Sequence, residues 1–170
     1  MKYYLVTVDP NYIAPVPVGW YGKIDRKTWK NKKTYQMPKH LIFQTEKHMQ
    51  MVFTDIVTFP CFMVRKMVRD TIALYNPFIK FVRIILYDKE RKKSMAYYMP
   101  FMKTIEHVET NCKNRYMINE IVLEREKLMD EAIIEVMSKD KTHIIMRMDL
   151  VESILRRNAI GIGLKEIQII

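Results

Sequence analysis

The sequence predicts a single α+β domain over residues 1–170, with a mostly antiparallel sheet and short amphipathic helices. Alternating aromatic and β-branched residues at 3–8 are typical of a half-buried strand. Apolar runs at 84–87 and 95–99 flank a charged turn and predict a β-hairpin. Between 64 and 75, apolar residues recur every three or four positions, which predicts a helix that covers the sheet.

The segment 62–86 has a counterpart at 144–168, at a constant offset of 82 residues. Each segment contains a short apolar strand, an amphipathic helix, an asparagine at the predicted helix end and a second strand. We therefore predict two similar strand–helix–strand units within 54–87 and 133–170, either as an internal duplication or as a coincidence between two common motifs. The similar pairs are Arg65 and Arg147, Val68 and Leu150, Asp70 and Glu152, Thr71 and Ser153, Ile72 and Ile154, and Asn76 and Asn158.

The charge of the chain is concentrated in its N-terminal half. The formal net charge is +10. Residues 1–85 contain 14 Lys and Arg against 5 Asp and Glu, whereas residues 86–170 contain 15 against 14. Such an asymmetry favours partners that carry negative charge, because a basic surface attracts acidic proteins and phosphates.

A basic segment at residues 23–33 is the densest part of this charge. It mixes cations for carboxylates or phosphates with an aromatic ring, so it is the candidate partner-binding site. An acidic protein surface, a nucleic acid or solvent alone could face such a segment, and the composition leaves all three open. The candidate residues are Lys23, Arg26, Lys27, Trp29, Lys30, Lys32 and Lys33.

No motif in the sequence predicts catalysis, a metal or a cofactor. Serines do not lie in a GxSxG turn, and Gly161-Ile162-Gly163 lacks the GxGxxG spacing of a phosphate loop. The densest cluster of possible metal ligands is Glu106, His107, Glu109 and Cys112, without CxxC or HxxxH spacing. We therefore expect a binding protein rather than an enzyme, with no metal and no cofactor.

The N-terminal residues and the cysteines predict a cytoplasmic protein. Residues 1–12 lack the basic and apolar regions of a signal peptide, and no apolar run approaches the ~20 residues of a membrane span. The two cysteines, Cys61 and Cys112, are expected to be reduced thiols. No membrane partner is predicted.

Residues 97–170 follow a recognisable order of elements. Tyr97-Tyr98 leads through a divergent loop to EIVLEREKL and IIEVM, then to HIIMRMDLVESILRRNAIGIG and a closing LKEIQII. This order resembles a bacterial family that was once catalogued as a domain of unknown function and later assigned to the immunity proteins of polymorphic toxin systems. A fainter similarity lies in 54–87, and Arg147-Met148-Asp149 departs from the serine-bearing helix entrance typical of the family.

The resemblance implies a protein that neutralises a cognate toxin by direct occlusion and has no chemistry of its own. The family supplies no site residues to carry over. The basic segment would suit an acidic toxin surface, since complementary charge accelerates encounter. A nucleic-acid-binding or regulatory protein that uses the same segment is the alternative.

Overall fold

A computed structural model of the chain describes residues 1–25, 38–106, 122–138 and 141–170. The described strands are β1 (Tyr3–Val8), β2 (His40–Gln44), β3 (Ile56–Val57), β4 (Met63–Arg65), β5 (Lys80–Asp88), β6 (Lys93–Phe101), β7 (Lys103–Glu106), β8 (Val122–Leu123), β9 (Ile133–Ser138), β10 (Lys141–Arg147), β11 (Ile162–Glu166) and β12 (Gln168–Ile169). The described helices are α1 (Lys66–Tyr75), α2 (Arg125–Leu128) and α3 (Met148–Leu155).

The strands form two five-stranded sheets and one two-stranded pair. The order is β11-β1-β10-β9-β7 in the first sheet and β2-β5-β6-β4-β3 in the second, and β12 pairs with β8. The pairs β2–β5, β7–β9 and β8–β12 are parallel and the rest are antiparallel. The predicted α+β class is confirmed. The single mostly antiparallel sheet with two helices is replaced, within the described ranges, by two mixed sheets and three helices.

The predicted β-hairpin is confirmed, since β5 and β6 pair antiparallel over their full length. Asp88 fixes its turn, because its carboxylate accepts hydrogen bonds from the backbone N–H groups of Glu90 and Arg91 at 3.0 and 3.2 Å. The Arg91 guanidinium in turn donates to the carbonyls of Met49 and Met51. The hairpin therefore also holds the segment that follows β2.

Each of the longer helices connects two parallel strands across one intervening antiparallel strand. Helix α1 joins β4 to β5, and both strands pair with β6. Helix α3 joins β10 to β11, and both strands pair with β1. Strand β1 thus lies inside the first sheet, next to its edge strand β11, between two strands that come more than 130 residues later in the chain.

The main core contains residues of both sheets and of both helices. Successive residues of β4 point to opposite faces of the second sheet, because side chains in a strand alternate. Val64 joins the main core with α1 and α3, whereas Met63 joins a second core on the other face. A third core covers the other face of the first sheet and includes Leu128 of α2. Both sheets are therefore covered on two faces.

The ends of the helices differ from the sequence expectation. Asn76 is the C-cap residue of α1, with φ of −140°, and its backbone N–H donates to the carbonyl of Ile72, whereas the C-cap residue of α3 is Arg156 and Asn158, with φ of 58°, lies two residues further on. Asp149 and Glu152 have the spacing of a capping box, but the N-cap residue of α3 is Arg147, which makes no side-chain capping hydrogen bond. The Arg147 guanidinium donates two hydrogen bonds to the Asp149 carboxylate, at 2.8 and 2.9 Å, and these hold the pKa of that carboxyl below its usual range.

Asp55 links the segment before β3 to the loop before β11. Its carboxylate accepts a hydrogen bond from the backbone N–H of Ile160 at 2.7 Å and lies 3.4 Å from Arg65 Nη1. Its own N–H donates to the carbonyl of Ile160 at 3.0 Å. Directly beside this link, Gly161 has φ of 74° and faces the side chain of Thr54. The two sheets are therefore joined here by close backbone contact.

Candidate protein-binding surface

Residues 9–25, here called the N-terminal loop, are fixed to the second sheet. The backbone N–H of Val18 donates to Gln44 at 2.7 Å, and that of Glu46 donates to Val16 at 2.8 Å. A further bond, 2.9 Å long, joins Val52 to Ile13. Because these bonds reach both ends of the segment that follows β2, the loop has a defined position on the fold.

A tight turn projects from the N-terminal loop at residues 19–24. The carbonyl of Trp20 accepts hydrogen bonds from the backbone N–H groups of Lys23 and Ile24, at 2.9 and 3.2 Å. Gly19 and Gly22 have φ of 69° and 74°, a region that glycine adopts without steric cost. The turn places Tyr21 at its tip, where the side chain is 87% exposed.

Three rings meet at this turn, and we call Trp20, Tyr21 and Phe59 the aromatic cluster. The ring of Trp20 contacts Tyr21 and Phe59 edge-on, with centroids 5.9 and 5.5 Å apart. Trp20 is partly buried against the second core, whereas 54% of the Phe59 side chain is exposed. Trp20 therefore supports two rings that face solvent.

One predicted partner-binding residue, Lys23, lies in the described part of the chain. It is exposed and directly follows the tip of the turn. The other six candidates lie outside the described residues, so their predicted role stays a prediction. They are Arg26, Lys27, Trp29, Lys30, Lys32 and Lys33.

Phe59 was not anticipated as part of this surface. It lies between β3 and β4, far from the basic segment in sequence, and nothing in its local pattern distinguishes it from a core residue. Trp20-Tyr21 carries the available signal, since two aromatic residues between Gly19 and Gly22 predict rings on a turn. The contact between Phe59 and Trp20 depends on tertiary structure alone.

The residues considered for catalysis or metal binding that the structure describes lie in a strand or in a core. Glu106 is exposed at the end of β7, and His107, Glu109 and Cys112 lie outside the described residues. Cys61 is buried in the second core. Within the described ranges, no group of three His, Cys, Asp or Glu side chains is placed to hold a metal ion.

The buried carboxylates take part in structural contacts. Asp55 and Asp88 make the links described above, and Glu135 on β9 accepts a hydrogen bond from the Thr104 hydroxyl of β7 at 3.2 Å. Buried acids require such partners, because an isolated charge in a core is costly. Their hydrogen bonds connect strands and turns to one another.

Comparisons with known proteins give no family for this chain. No protein-family model matches it, and no curated protein sequence is significantly similar to it. In the described part of the chain, no helix is both long and apolar enough to cross a membrane.

Proposed function

We propose that this chain is an immunity-type binding protein that neutralises a cognate bacterial toxin in the cytoplasm by direct occlusion, without a reaction or cofactor of its own. The observation that carries the proposal is the aromatic cluster, in which Phe59 contacts Trp20 on the turn that precedes the basic segment in sequence. Aromatic and arginine side chains are enriched at the centres of protein interfaces. The resemblance of residues 97–170 to toxin-immunity proteins supplies the class of partner.

The charge of the N-terminal half supports an acidic toxin surface. Residues 1–85 carry nearly three basic residues for each acidic one. Complementary charge accelerates diffusional encounter and disfavours wrong partners, and a protein that must capture a toxin quickly gains from both effects. Lys23, the first residue of the basic segment, is exposed.

A nucleic-acid-binding role is the second candidate. Exposed Tyr21, followed in sequence by lysines and by Trp29 and Tyr35, provides rings for base stacking and cations for phosphates. Such binding would be strongly salt-dependent, because counterions are released from the nucleic acid. Both hypotheses therefore use the same surface. Measurements of its affinity for a toxin domain and for oligothymidylate separate them.

Binding to the product of a neighbouring toxin gene tests the proposed function. We expect the purified chain to form a stable complex with that toxin domain in size-exclusion chromatography and to abolish its activity. Bovine serum albumin, an unrelated acidic protein, serves as the control and should not bind. Absence of a complex, together with tight oligothymidylate binding that weakens steeply between low and high salt, would contradict the proposal in favour of nucleic acid.

We also infer that the two strand–helix–strand units are copies of one unit, the second of which takes β1 as its middle strand. The second sheet contains the order β5-β6-β4-β3, in which α1 connects β4 to β5. The first sheet contains the order β11-β1-β10-β9, in which α3 connects β10 to β11. The corresponding pairings have the same direction, since β3–β4 and β9–β10 are both antiparallel. This common order supports a duplication.

The strand register supports the same inference residue by residue. Tyr97-Tyr98 of β6 lies opposite Arg65 and Val64, the last residues before α1. Tyr3-Tyr4 of β1 lies opposite Arg147 and Met146, the last residues before α3. Burial raises the pKa of both Tyr97 and Tyr3, and the facing arginine opposes the shift in each. Equivalent helix residues are fully buried in both units, namely Val68 with Leu150 and Ile72 with Ile154.

A circular permutant tests whether β1 holds the position of β6. Lys2 Nζ lies 3.0 Å from Glu166 Oε1, so a chain running from residue 11 to 170 and then through a flexible linker to residues 1–10 could place β1 after β11. We expect cooperative unfolding within about 2 kcal/mol of the natural order, because loop closure depends weakly on length. The control is deletion of residues 1–10, which should prevent folding. A permutant that remains unfolded would count against the inference.

A further inference from the structure

We propose that the toxin domain also contacts a second surface of this chain, on the face of the second sheet that points away from the second core. The occupant of this surface is a region of the toxin domain that presents a carboxylate among apolar side chains. This inference rests on the proposed function and adds a contact on the opposite side of the sheet from the core that supports Trp20. We call this surface the open face, and its positions are 40, 42 and 44 of β2, 83, 85 and 87 of β5, and 94, 96 and 98 of β6.

The strand register brings the open face together in three rows across β2, β5 and β6. Arg83 lies between His40 and Tyr98, and the next two rows have Ile85 and Tyr87 at the same place on β5. Residues two apart in a strand point to the same side of a sheet. The residues between them on β5 are buried in the second core, whereas none of the nine positions of the open face is buried. These side chains therefore form one accessible surface.

The cover that the main core gives to this side of the sheet ends at Tyr98. Helix α1 reaches that point, where Arg69 Cζ lies 4.3 Å from the centroid of the Tyr98 ring. Further along the sheet, Ile42 is 62% exposed and Tyr87 is 38% exposed. Together with Ile85, these two residues belong to none of the three cores that the described residues form. Because hydrogen-bonded strands hold this apolar area in place, a partner can cover it at low entropic cost.

Arg83 supplies the charge of the open face and indicates the chemistry of the partner. It is exposed, and within the described ranges it forms no ion pair and no side-chain hydrogen bond. Arg69, at the border of the open face, is already paired with Asp70, with 2.8 Å between its Nε and the carboxylate. The nine positions themselves contain no Asp or Glu. A carboxylate of the partner would therefore pair with Arg83, whose planar guanidinium suits two parallel hydrogen bonds.

The composition of the open face favours a protein over other occupants. It has two tyrosines and an arginine and lacks Lys, Asp and Glu, as is typical of the centre of a protein interface. A nucleic acid requires several cations for its phosphates, and the open face has one arginine. A symmetric contact with a second copy of the chain would place the open face against itself, where Arg83 would find no acid.

Charge variants of Arg83 test the inference. Arg83→Glu is expected to raise the Kd for the toxin domain from the neighbouring gene about 100-fold, because two carboxylates would then face each other. Arg83→Gln removes the charge without reversing it and should raise the Kd about 10-fold. Lys80→Glu is the matched control, since Lys80 is exposed on the same strand but on the other side of the sheet. Salt screens its charge at that distance, so the Kd should change less than about threefold.

Removal of an exposed ring tests the apolar part of the open face. Tyr87→Thr keeps a residue that favours strands and is expected to raise the Kd about 10-fold. Phe78→Thr removes a ring that is 92% exposed and lies outside the open face, and should change the Kd less than about twofold. Unchanged far-ultraviolet circular dichroism of each variant ensures that loss of binding reflects the contact.

The outcomes separate this inference from the proposed function. If the wild-type chain binds the toxin domain and the Arg83 and Tyr87 variants bind equally well, the open face is not a contact, while the immunity function stands. Equal losses for Arg83→Glu and Lys80→Glu would also overturn the inference, because overall charge would then explain both. Equal losses for Arg83→Glu and Arg83→Gln would overturn the partner carboxylate.

Two further outcomes concern the identity of the occupant. If the wild-type chain binds no toxin domain, the proposed function fails and this inference fails with it. If the chain binds oligothymidylate instead and Arg83→Glu reduces that binding, the occupant is a nucleic acid and the inference is overturned.

Discussion

Replacing Gly161 with alanine is expected to lower the free energy of unfolding by about 3 kcal/mol. The backbone φ of 74° disfavours any side chain, and a Cβ at this position would lie 2.6 Å from Thr54 Cβ and closer still to its Cγ2. Thr54 cannot move away easily, because it is fully buried and its hydroxyl donates to the carbonyl of Ile56 at 2.6 Å. The backbone strain and the steric overlap with Thr54 therefore both lower the free energy of unfolding.

Gly22 provides the matched control for this substitution. Its φ is also 74°, but a Cβ there would have no atom within 4 Å. Gly22→Ala should therefore cost only the backbone strain, about 1 kcal/mol. Urea denaturation of both variants measures the difference, and equal losses of stability would show that the contact with Thr54 has no energetic weight.

Replacing Asp55 with alanine is expected to cost about 2–3 kcal/mol. The substitution removes the carboxylate that accepts from Ile160 N–H and that neutralises Arg65. The loss is smaller than for a fully buried ion pair, because about one third of the Arg65 side chain is exposed and water can solvate it. Asp55→Asn retains a hydrogen-bond acceptor and should lose about half as much.

Asp88→Ala separates the long-range role of Asp55 from the general cost of losing a buried carboxylate. Asp88 is as buried as Asp55, with 6% exposure for each, but its hydrogen bonds close a local hairpin turn. We expect it to cost about 1 kcal/mol. Thermal and urea unfolding of the two alanine variants provide the comparison, and a greater loss for Asp88→Ala would contradict the importance of the link between Asp55 and Ile160.

Local patterns in the sequence predicted individual elements well. Alternation identified β1, two apolar runs around a charged turn identified the β5–β6 hairpin, and the helical period identified α1 and α3, because each pattern depends on which residues of one element are buried. Of the candidate surface, the sequence indicated the basic segment, whose first residue is Lys23, whereas Trp20 and Tyr21 were not among the predicted site residues. These features depend on neighbouring residues alone.

Features that depend on distant residues could not be predicted. The periodicity of β1 shows that one face is buried, but it does not show that β10 and β11 are its partners. The number of sheets follows from those pairings. The conformation of Asn76 and the contact of Phe59 with Trp20 likewise depend on tertiary packing, which overrides local preference.

The position of β1 between β10 and β11 has a consequence for the order in which the chain can fold during synthesis. Strand β1 is translated before the other described strands, whereas β10 and β11, between which it pairs, follow more than 130 residues later. At a translation rate of about 5–20 residues per second, β10 is synthesised roughly 7–28 s after β1. The strands of the second sheet all lie between residues 40 and 101, so that sheet can assemble while β1 still has exposed edges. Until β10 and β11 emerge, Leu5 and Val6 lack the strands that pair with them in the fold, which exposes the nascent chain to aggregation and chaperone binding at β1.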